Sequence, residues 1–326
     1  MCLRLYLKRT ETESKNYDDE EYKVYVSGGL KYKVKFIDPY SYSTGQIVHN
    51  KAVYKLNHRS NEWELFSKLK SRRTAHQCAI VKDQLYLVGG SGRDLVDTDV
   101  VPILRNGLKA EKAAEISTRR SLFGMCSFAG IIFAAGGLDS RGEDLDECEI
   151  YSAQSNEWTE VARMNSKRSS LALVYFQHEV WAVGGCRDGE SSNAIETYDP
   201  AENKWTTIDA KLQVKRRDHS AVVHGKKIFV IGGVRRNKPI SSVEVYSSVT
   251  NEITCVAPMN IARFRFGCCL VNSKVYAIGG RKDWNKTNTY YTFADEVEVY
   301  DIEKNEWRKG PSLPFKLSDF ACSESL

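Results

Sequence analysis

An apolar stretch ending in Gly-Gly recurs six times in the 326-residue chain, the pairs beginning at Gly28, Gly89, Gly136, Gly184, Gly232 and Gly279. The steps between those starts are 61, 47, 48, 48 and 47 residues. Such a period marks a chain built from copies of one supersecondary unit, each too small to bury its apolar face alone. Three residues before every pair stands an aromatic ring: Tyr25, Tyr86, Phe133, Trp181, Phe229 and Tyr276. Flanks such as Leu85-Tyr-Leu-Val and Ile228-Phe-Val-Ile have the β-branched and aromatic content of a strand buried on both faces. The glycines end that strand where the backbone turns without a Cβ.

A second signature follows each pair, a Tyr with Trp seven residues on: Tyr151 and Trp158, Tyr198 and Trp205, Tyr300 and Trp307. Tyr246 with Ile253, and Leu56 with Trp63, are degraded copies. Polar turns such as Ser155-Asn-Glu and Lys304-Asn-Glu lie between, so the second signature reads as a hairpin. Segments rich in small residues, such as Ala75-His-Gln-Cys-Ala-Ile-Val and Ser220-Ala-Val-Val, precede the pairs and suit an innermost strand, where sheets converge on a channel. Four strands per repeat with these markers closely resembles the Kelch repeat. The resemblance implies an all-β, six-bladed Kelch β-propeller with four antiparallel strands per blade. The second blade is expected to be weak, with Leu104 where Tyr belongs and Glu111 near the Trp place.

The chain enters the pattern at a Gly-Gly strand with no inner strand before it, and its tail, Gly310 to Ser323, reads as an inner strand with no Gly-Gly strand after it. The expectation is that the C-terminal strand joins blade one and removes an exposed edge. Residues 22–326 then form the propeller, and residues 1–21 a disordered N-terminal extension.

Hydrophobic residues at 42% and charged residues at 27% fit a globular chain with a sizeable core, and a net charge of +5 is too mild to mark nucleic acid as the partner. Nine cysteines without a C-x-x-C pair or zinc spacing suit free thiols in a reducing, cytoplasmic setting. The opening Met1-Cys-Leu-Arg-Leu-Tyr-Leu-Lys-Arg is too charged for a signal peptide or a membrane span.

Sixteen residues before each later pair stands an arginine: Arg73, Arg120, Arg168, Arg216 and Arg263, with Lys316 one residue early in the closing blade. A second basic tier, Lys31, Arg93, Arg141, Arg187, Arg235, Arg236, Arg281 and Lys282, follows the glycines. In Kelch-like substrate adaptors, arginines at matching positions help grip acidic peptides, and the guanidinium fork suits carboxylate or phosphate. The resemblance therefore implies an arginine-lined docking face. The competing reading is that these arginines bond loop carbonyls. If they dock a partner, changing Arg120, Arg168 and Arg216 together to Glu abolishes capture and leaves unfolding nearly unchanged. Long loops in the first and last blades add Tyr32, Phe36, Tyr40 and Tyr42, and Trp284, Tyr290, Tyr291 and Phe293, as aromatic candidates.

Enzymatic readings fare worse. Some Kelch propellers are copper oxidases, but His76 and His219 fall on opposite sides of the ring, and no catalytic triad, phosphate-cradling loop or metal-spaced cluster is present. No cofactor or metal is expected. The leading expectation is a cytoplasmic, non-enzymatic protein-binding module for an acidic or phosphorylated segment, similar to the propeller of Kelch-like ubiquitin-ligase adaptors without their BTB and BACK domains. A cullin scaffold is a partner only with an upstream BTB domain. The alternative is an actin-binding Kelch protein.

Overall fold

Two-residue turns with both φ angles positive match the right-handed twist of paired strands, and they recur where the chain leaves an inner strand. Lys82 and Asp83 (φ 48° and 60°), Gln177 and His178 (50° and 68°) and Asn272 and Ser273 (48° and 56°) all adopt them. Each turn returns the chain along the apolar strand that ends in Gly-Gly. In Ile131–Ala135 every residue is buried, because both faces of the sheet are covered by neighbouring sheets.

The structure is a computed structural model, described for residues 23–35, 44–57, 60–91, 98–102, 111–284 and 291–325. Within them lie six four-stranded antiparallel sheets, here called blades A to F. Five are continuous in sequence and are given from the channel outward. Blade B is Gln77–Val81, Gln84–Val88, Thr98–Pro102 and Glu111–Ala113. Blade C is Gly124–Phe128, Ile131–Ala135, Cys148–Ser152 and Glu157–Val161. Blade D is Ala172–Phe176, Glu179–Val183, Ile195–Asp199 and Lys204–Thr207. Blade E is Ser220–His224, Lys227–Ile231, Val243–Ser247 and Glu252–Val256, and blade F is Gly267–Val271, Lys274–Ile278, Val297–Asp301 and Glu306–Lys309.

Blade A is composite. Its inner strand, Ala321–Ser325, comes from the C-terminal segment and pairs antiparallel with Lys23–Ser27, from Lys23 opposite Ser325 to Ser27 opposite Ala321. Ala52–Asn57 and Glu62–Lys68 complete it. The inner strands neighbour one another in the cyclic order A to F and back to A.

The sequence expectation of a six-bladed ring made only of four-stranded blades requires correction. Only five of the blades are complete sequence repeats, and the strands are not confined to blades. Two-stranded hairpins, Cys186–Arg187 with Glu190–Ser191, Val234–Arg235 with Lys238–Pro239, and Arg281–Trp284 with Tyr291–Phe293, follow the glycines of blades D, E and F. Next to blade A, Leu30–Lys35 pairs with Thr44–His49 and with the short Leu317–Ser318. The connections after Gly-Gly are long enough to close ladders of their own, and pairing satisfies backbone groups that loops would leave to water.

The apolar core is divided among the contacts between blades. Phe133 and Ala135 of blade C pack on Leu173, Val180, Ala182 and Trp205 of blade D. Val24, Val26 and Leu56 of blade A meet Cys269, Val271 and Ile278 of blade F across the seam. Burying Trp205, 4% exposed, contributes roughly 2–3 kcal/mol.

The Tyr–Trp signature is an inter-blade brace, and the Asn of the polar turn completes it. Asn156, Asn203 and Asn305 have φ of 56°, 52° and 53°, which Asn tolerates better than most residues. Each Oδ1 accepts the hydroxyl of its own blade's Tyr (Tyr151, Tyr198, Tyr300) and the backbone N–H of Ala114, Ala162 or Ala257 in the preceding blade. The indole N–H of Trp158, Trp205 or Trp307 donates to the carbonyl of that same alanine. Trp63 does likewise to Pro311 at 2.9 Å, bracing blade A on blade F. In blade B the register puts Val101, not Leu104, at the Tyr place, and Glu111–Ala113 is the shortest outer strand of the six blades. No helix of the structure is long and apolar enough to cross a membrane, among the described residues.

Candidate functional site: the channel mouth

The arginines that precede the inner strands do not face a partner. Arg73, Arg120, Arg168, Arg216 and Arg263 are each 2% exposed or less. Their side chains turn inward and donate from Nη1 to the first glycine carbonyl of their own blade: Arg120 to Gly136 at 2.9 Å, Arg216 to Gly232 at 2.9 Å, Arg263 to Gly279 at 2.8 Å. Arg73 and Arg168 reach Gly89 and Gly184 at 3.2 and 3.1 Å. In blades C to F, Nη2 meets a buried carboxylate on the third strand: Arg120 with Glu149 at 2.7 Å, Arg263 with Glu298 at 2.8 Å, and the pairs Arg168 with Glu196 and Arg216 with Glu244. These carboxylates also accept the backbone N–H groups of the turn ahead of the arginine. Glu149 takes Ser117 and Thr118, and Glu298 takes Asn260 and Ile261. The buried arginines and glutamates of blades C to F are thus paired and hydrogen-bonded. The expectation that these arginines form the docking face is corrected: they are clasps inside the ring.

The closing blade solves the same position differently. The second glycine of each blade donates its N–H to the carbonyl of the next blade's arginine, as Gly29 does to Arg73 and Gly233 to Arg263, both at 2.9 Å. In the last step Gly280 donates to Leu317 at 2.8 Å, so Leu317, 1% exposed, holds the arginine place. Lys316 is exposed beside it. The ring of Phe315 packs edge-on against Tyr54, centroids 5.1 Å apart, with the Lys31 ammonium 3.5 Å above the Phe315 centroid.

Two residues beyond each clasp lies a feature that the sequence reading missed. Ala75, Leu122, Ser170, Asp218, Arg265 and Asp319 have φ from 50° to 56°, a strained region for non-glycine residues that costs about 1–3 kcal/mol each. They join in a closed circlet of backbone hydrogen bonds. Leu122 donates to Ala75 (3.0 Å), Ser170 to Leu122 (2.6 Å), Asp218 to Ser170 (2.9 Å), Arg265 to Asp218 (3.0 Å), Asp319 to Arg265 (3.2 Å) and Ala75 to Asp319 (2.9 Å). The circlet rims an upper channel cavity of about 180 Å³.

The rim is chemically lopsided. Ala75, Leu122 and Ser170 are uncharged, whereas Arg265 bridges Asp218 (3.0 Å) and Asp319 (2.9 Å). Arg281 grips Asp319 through Nε and Nη2 at 2.9 and 2.7 Å, its guanidinium 5.5 Å from the Phe293 centroid. Burial opposes the charge on Asp319, but Arg265 and Arg281 hold its carboxyl below the usual carboxylate range. Burial likewise works against the Arg265 charge, yet Asp218 and Asp319 raise its pKa. Arg217 ties the hairpins of blades D and E together through the Gly189 carbonyl (2.9 Å) and Asn237 Oδ1 (2.7 Å).

The second basic tier is divided. Arg141 is exposed and held by Asp139 and Glu143, both at 3.1 Å. Arg187 is exposed with Asp188 at 3.4 Å, and Lys282 pairs with Glu296. Arg235, Arg236 and Lys238, on the tip of the blade E hairpin, are exposed and make no ion pair among the described residues. Arg93 lies outside the described residues, as do Phe36, Tyr40, Tyr42 and Tyr290. Tyr32 and Trp284 are placed only as backbone positions in their strands. Phe293 is buried at 6% exposure.

The two matched histidines pack against glycines. A Cβ on Gly28 would come 2.6 Å from His76 Cε1, and one on Gly184 2.7 Å from His219 Cε1. Burial, aided by Arg73, holds the His76 pKa well below its usual value, and burial with Arg216 lowers that of His219 to about 3. Both rings are neutral packing groups at physiological pH. No cluster of three or more metal-ligating side chains occurs among the described residues.

A family model described as the KLHDC2/KLHL20/DRC7 Kelch-repeats domain matches residues 21–233, and the Kelch motif matches residues 215–260 and 262–314. Similar proteins include beta-scruin of Limulus polyphemus, 30% identical over 82% of this chain and 25% of that protein. Kelch-like protein 26 of Danio rerio is 28% identical over 81% of this chain and 35% of that protein. The chain spans about a quarter to a third of the length of these relatives. A solved structure titled "Structure of YjhT" superposes with a TM-score of 0.68 at 13% identity, covering 78% of this chain and 88% of the other, and shares the fold.

Proposed function

Because the chain belongs to the KLHDC2/KLHL20/DRC7 family of Kelch-repeat domains, we propose that it is a non-enzymatic protein-binding propeller whose mouth captures an acidic or phosphorylated segment of a partner. The observation that carries this reading is the charged half of the rim. Arg265 and Arg281 are pre-oriented by buried carboxylates, and beside them stands a hairpin tip whose three cations, Arg235, Arg236 and Lys238, have no internal counter-charge among the described residues. Pre-orientation lowers the entropic cost of gripping an anion, and the unpaired cations draw it in. The buried clasps take no part.

Kelch-like names among the relatives support a place as the substrate-recognition part of a cytoplasmic ubiquitin-ligase adaptor, in which a BTB domain engages the cullin scaffold. A second reading, an actin-binding cytoskeletal Kelch protein, rests on the scruin similarities, which run through four-fifths of the chain, and on the suitability of the same cations for an acidic filament surface. An array of acidic and phosphorylated peptides tests the proposal against the variant Arg235→Glu, Arg236→Glu, Lys238→Glu. The expected result is at least a tenfold loss of capture with the melting temperature unchanged, and undiminished capture overturns the proposal. Saturable cosedimentation with actin filaments that persists as salt is raised favours the second reading.

A further inference from the structure

The lower half of the channel is a cavity of about 310 Å³ whose one carboxylate, among the described residues lining it, is Glu324. Glu324 lies on the closing strand Ala321–Ser325, opposite Val24 in the register of the seam. From the inner strands of blades B and F, Cys78 and Cys268 line the same cavity, and Cys126 and Tyr175 line it from blades C and D. None of these is a cation. Lys23, one residue from the register partner, makes no ion pair with Glu324. Burial pushes the Cys78, Cys126 and Cys268 thiols and the Tyr175 hydroxyl up, so they stay neutral through the physiological range.

The same segment organises the mouth. Asp319, two residues before the closing strand, holds both Arg265 and Arg281. Anything that loosens Ala321–Ser325 therefore acts on the rim as well.

We propose that the closing strand is a proton-dependent latch: Glu324 seats as a neutral acid in the lower channel, and its ionisation loosens the strand that closes the ring and sets the rim arginines.

Burial raises the Glu324 carboxyl to about 7, only partly offset by backbone amides including that of Leu270. The unfolded value is near 4.3, so the closed state binds the extra proton between those values. Closure is fully supported below the unfolded pKa, weakens as pH rises through 7, and changes little above. The midpoint falls where small changes in pH shift the population.

Hydrogen exchange on the full chain without ligand tests this, comparing protection of residues 317–325 with that of Ser220–His224, the inner strand of blade E. Correction for intrinsic exchange rates leaves an expected rise in relative opening of roughly tenfold from pH 6 to pH 8. Glu324→Gln, with Glu324→Leu as a second neutral variant, is expected to stay protected at both. Glu179→Gln removes another carboxyl raised by burial, on blade D, and is expected to keep the wild-type dependence. A flat wild-type profile overturns the latch, as does an unchanged profile in both Glu324 variants. The readout needs no partner, so it stands or falls apart from peptide capture.

Discussion

Blades C to F and blade A solve one steric problem with opposite chemistry. Where the chain turns from one blade into the next inner strand, blades C to F bury an arginine against a glutamate, and blade A buries Leu317 beside the Phe315–Tyr54 pair. The backbone contact is the same in both, a glycine N–H donated to the carbonyl of that residue. The side chain is therefore not needed to place the backbone. What the ion pair adds is termination of the polar groups around it: the glycine carbonyl, and the turn amides held by the glutamate. In blade A the short Leu317–Ser318 ladder and the hairpin beside it take up backbone groups at the turn.

The comparison breaks most severely if three clasps are reversed together. Replacing Arg120, Arg168 and Arg216 with Glu sets like charges in buried sites, at roughly 3–5 kcal/mol each, which together match or exceed the stability of most domains. No cooperative unfolding transition should be detected by calorimetry. A single cut is smaller. Glu244→Ala strands the Arg216 charge and two turn amides, and should cost about 3–5 kcal/mol in urea unfolding. Importing the apolar solution, Arg216→Leu with Glu244→Tyr, should recover most of that loss. If the double variant is no better than the single one, the clasp does more than satisfy its own polar groups. The smallest effect is expected from the brace. Asn203→Ala removes the acceptor shared by Tyr198 and the Ala162 amide and should cost about 1–2 kcal/mol, read as a modest drop in melting temperature.

Much of this was legible before any coordinates. The spacing of the glycines located the strands, and the unpaired ends of the pattern identified the seam between Lys23–Ser27 and Ala321–Ser325. The direction of the arginines was not legible, because a cation before an inner strand reads the same whether it points out or in. The signal that separates the two lies elsewhere. The clasping glutamate stands two residues before the brace tyrosine, as Glu149 before Tyr151, Glu196 before Tyr198, Glu244 before Tyr246 and Glu298 before Tyr300. Counted from Gly-Gly it drifts (136 to 149, but 279 to 298), since the long connection of blade F intervenes. Hence a search anchored on the glycines does not find it. The circlet was hidden for a different reason: its six positions carry Ala, Leu, Ser, Asp, Arg and Asp, and only the backbone is alike.

That indifference to side chains sets how such a mouth can diversify. The calibre of the opening is fixed peptide to peptide, so the uncharged positions Ala75, Leu122 and Ser170 can each be rewritten without re-tuning a neighbour, whereas Asp218, Arg265 and Asp319 are tied to one another by their ion pairs. A new preference for charge, size or polarity then requires one substitution at a time, on an aperture whose dimensions are inherited unchanged.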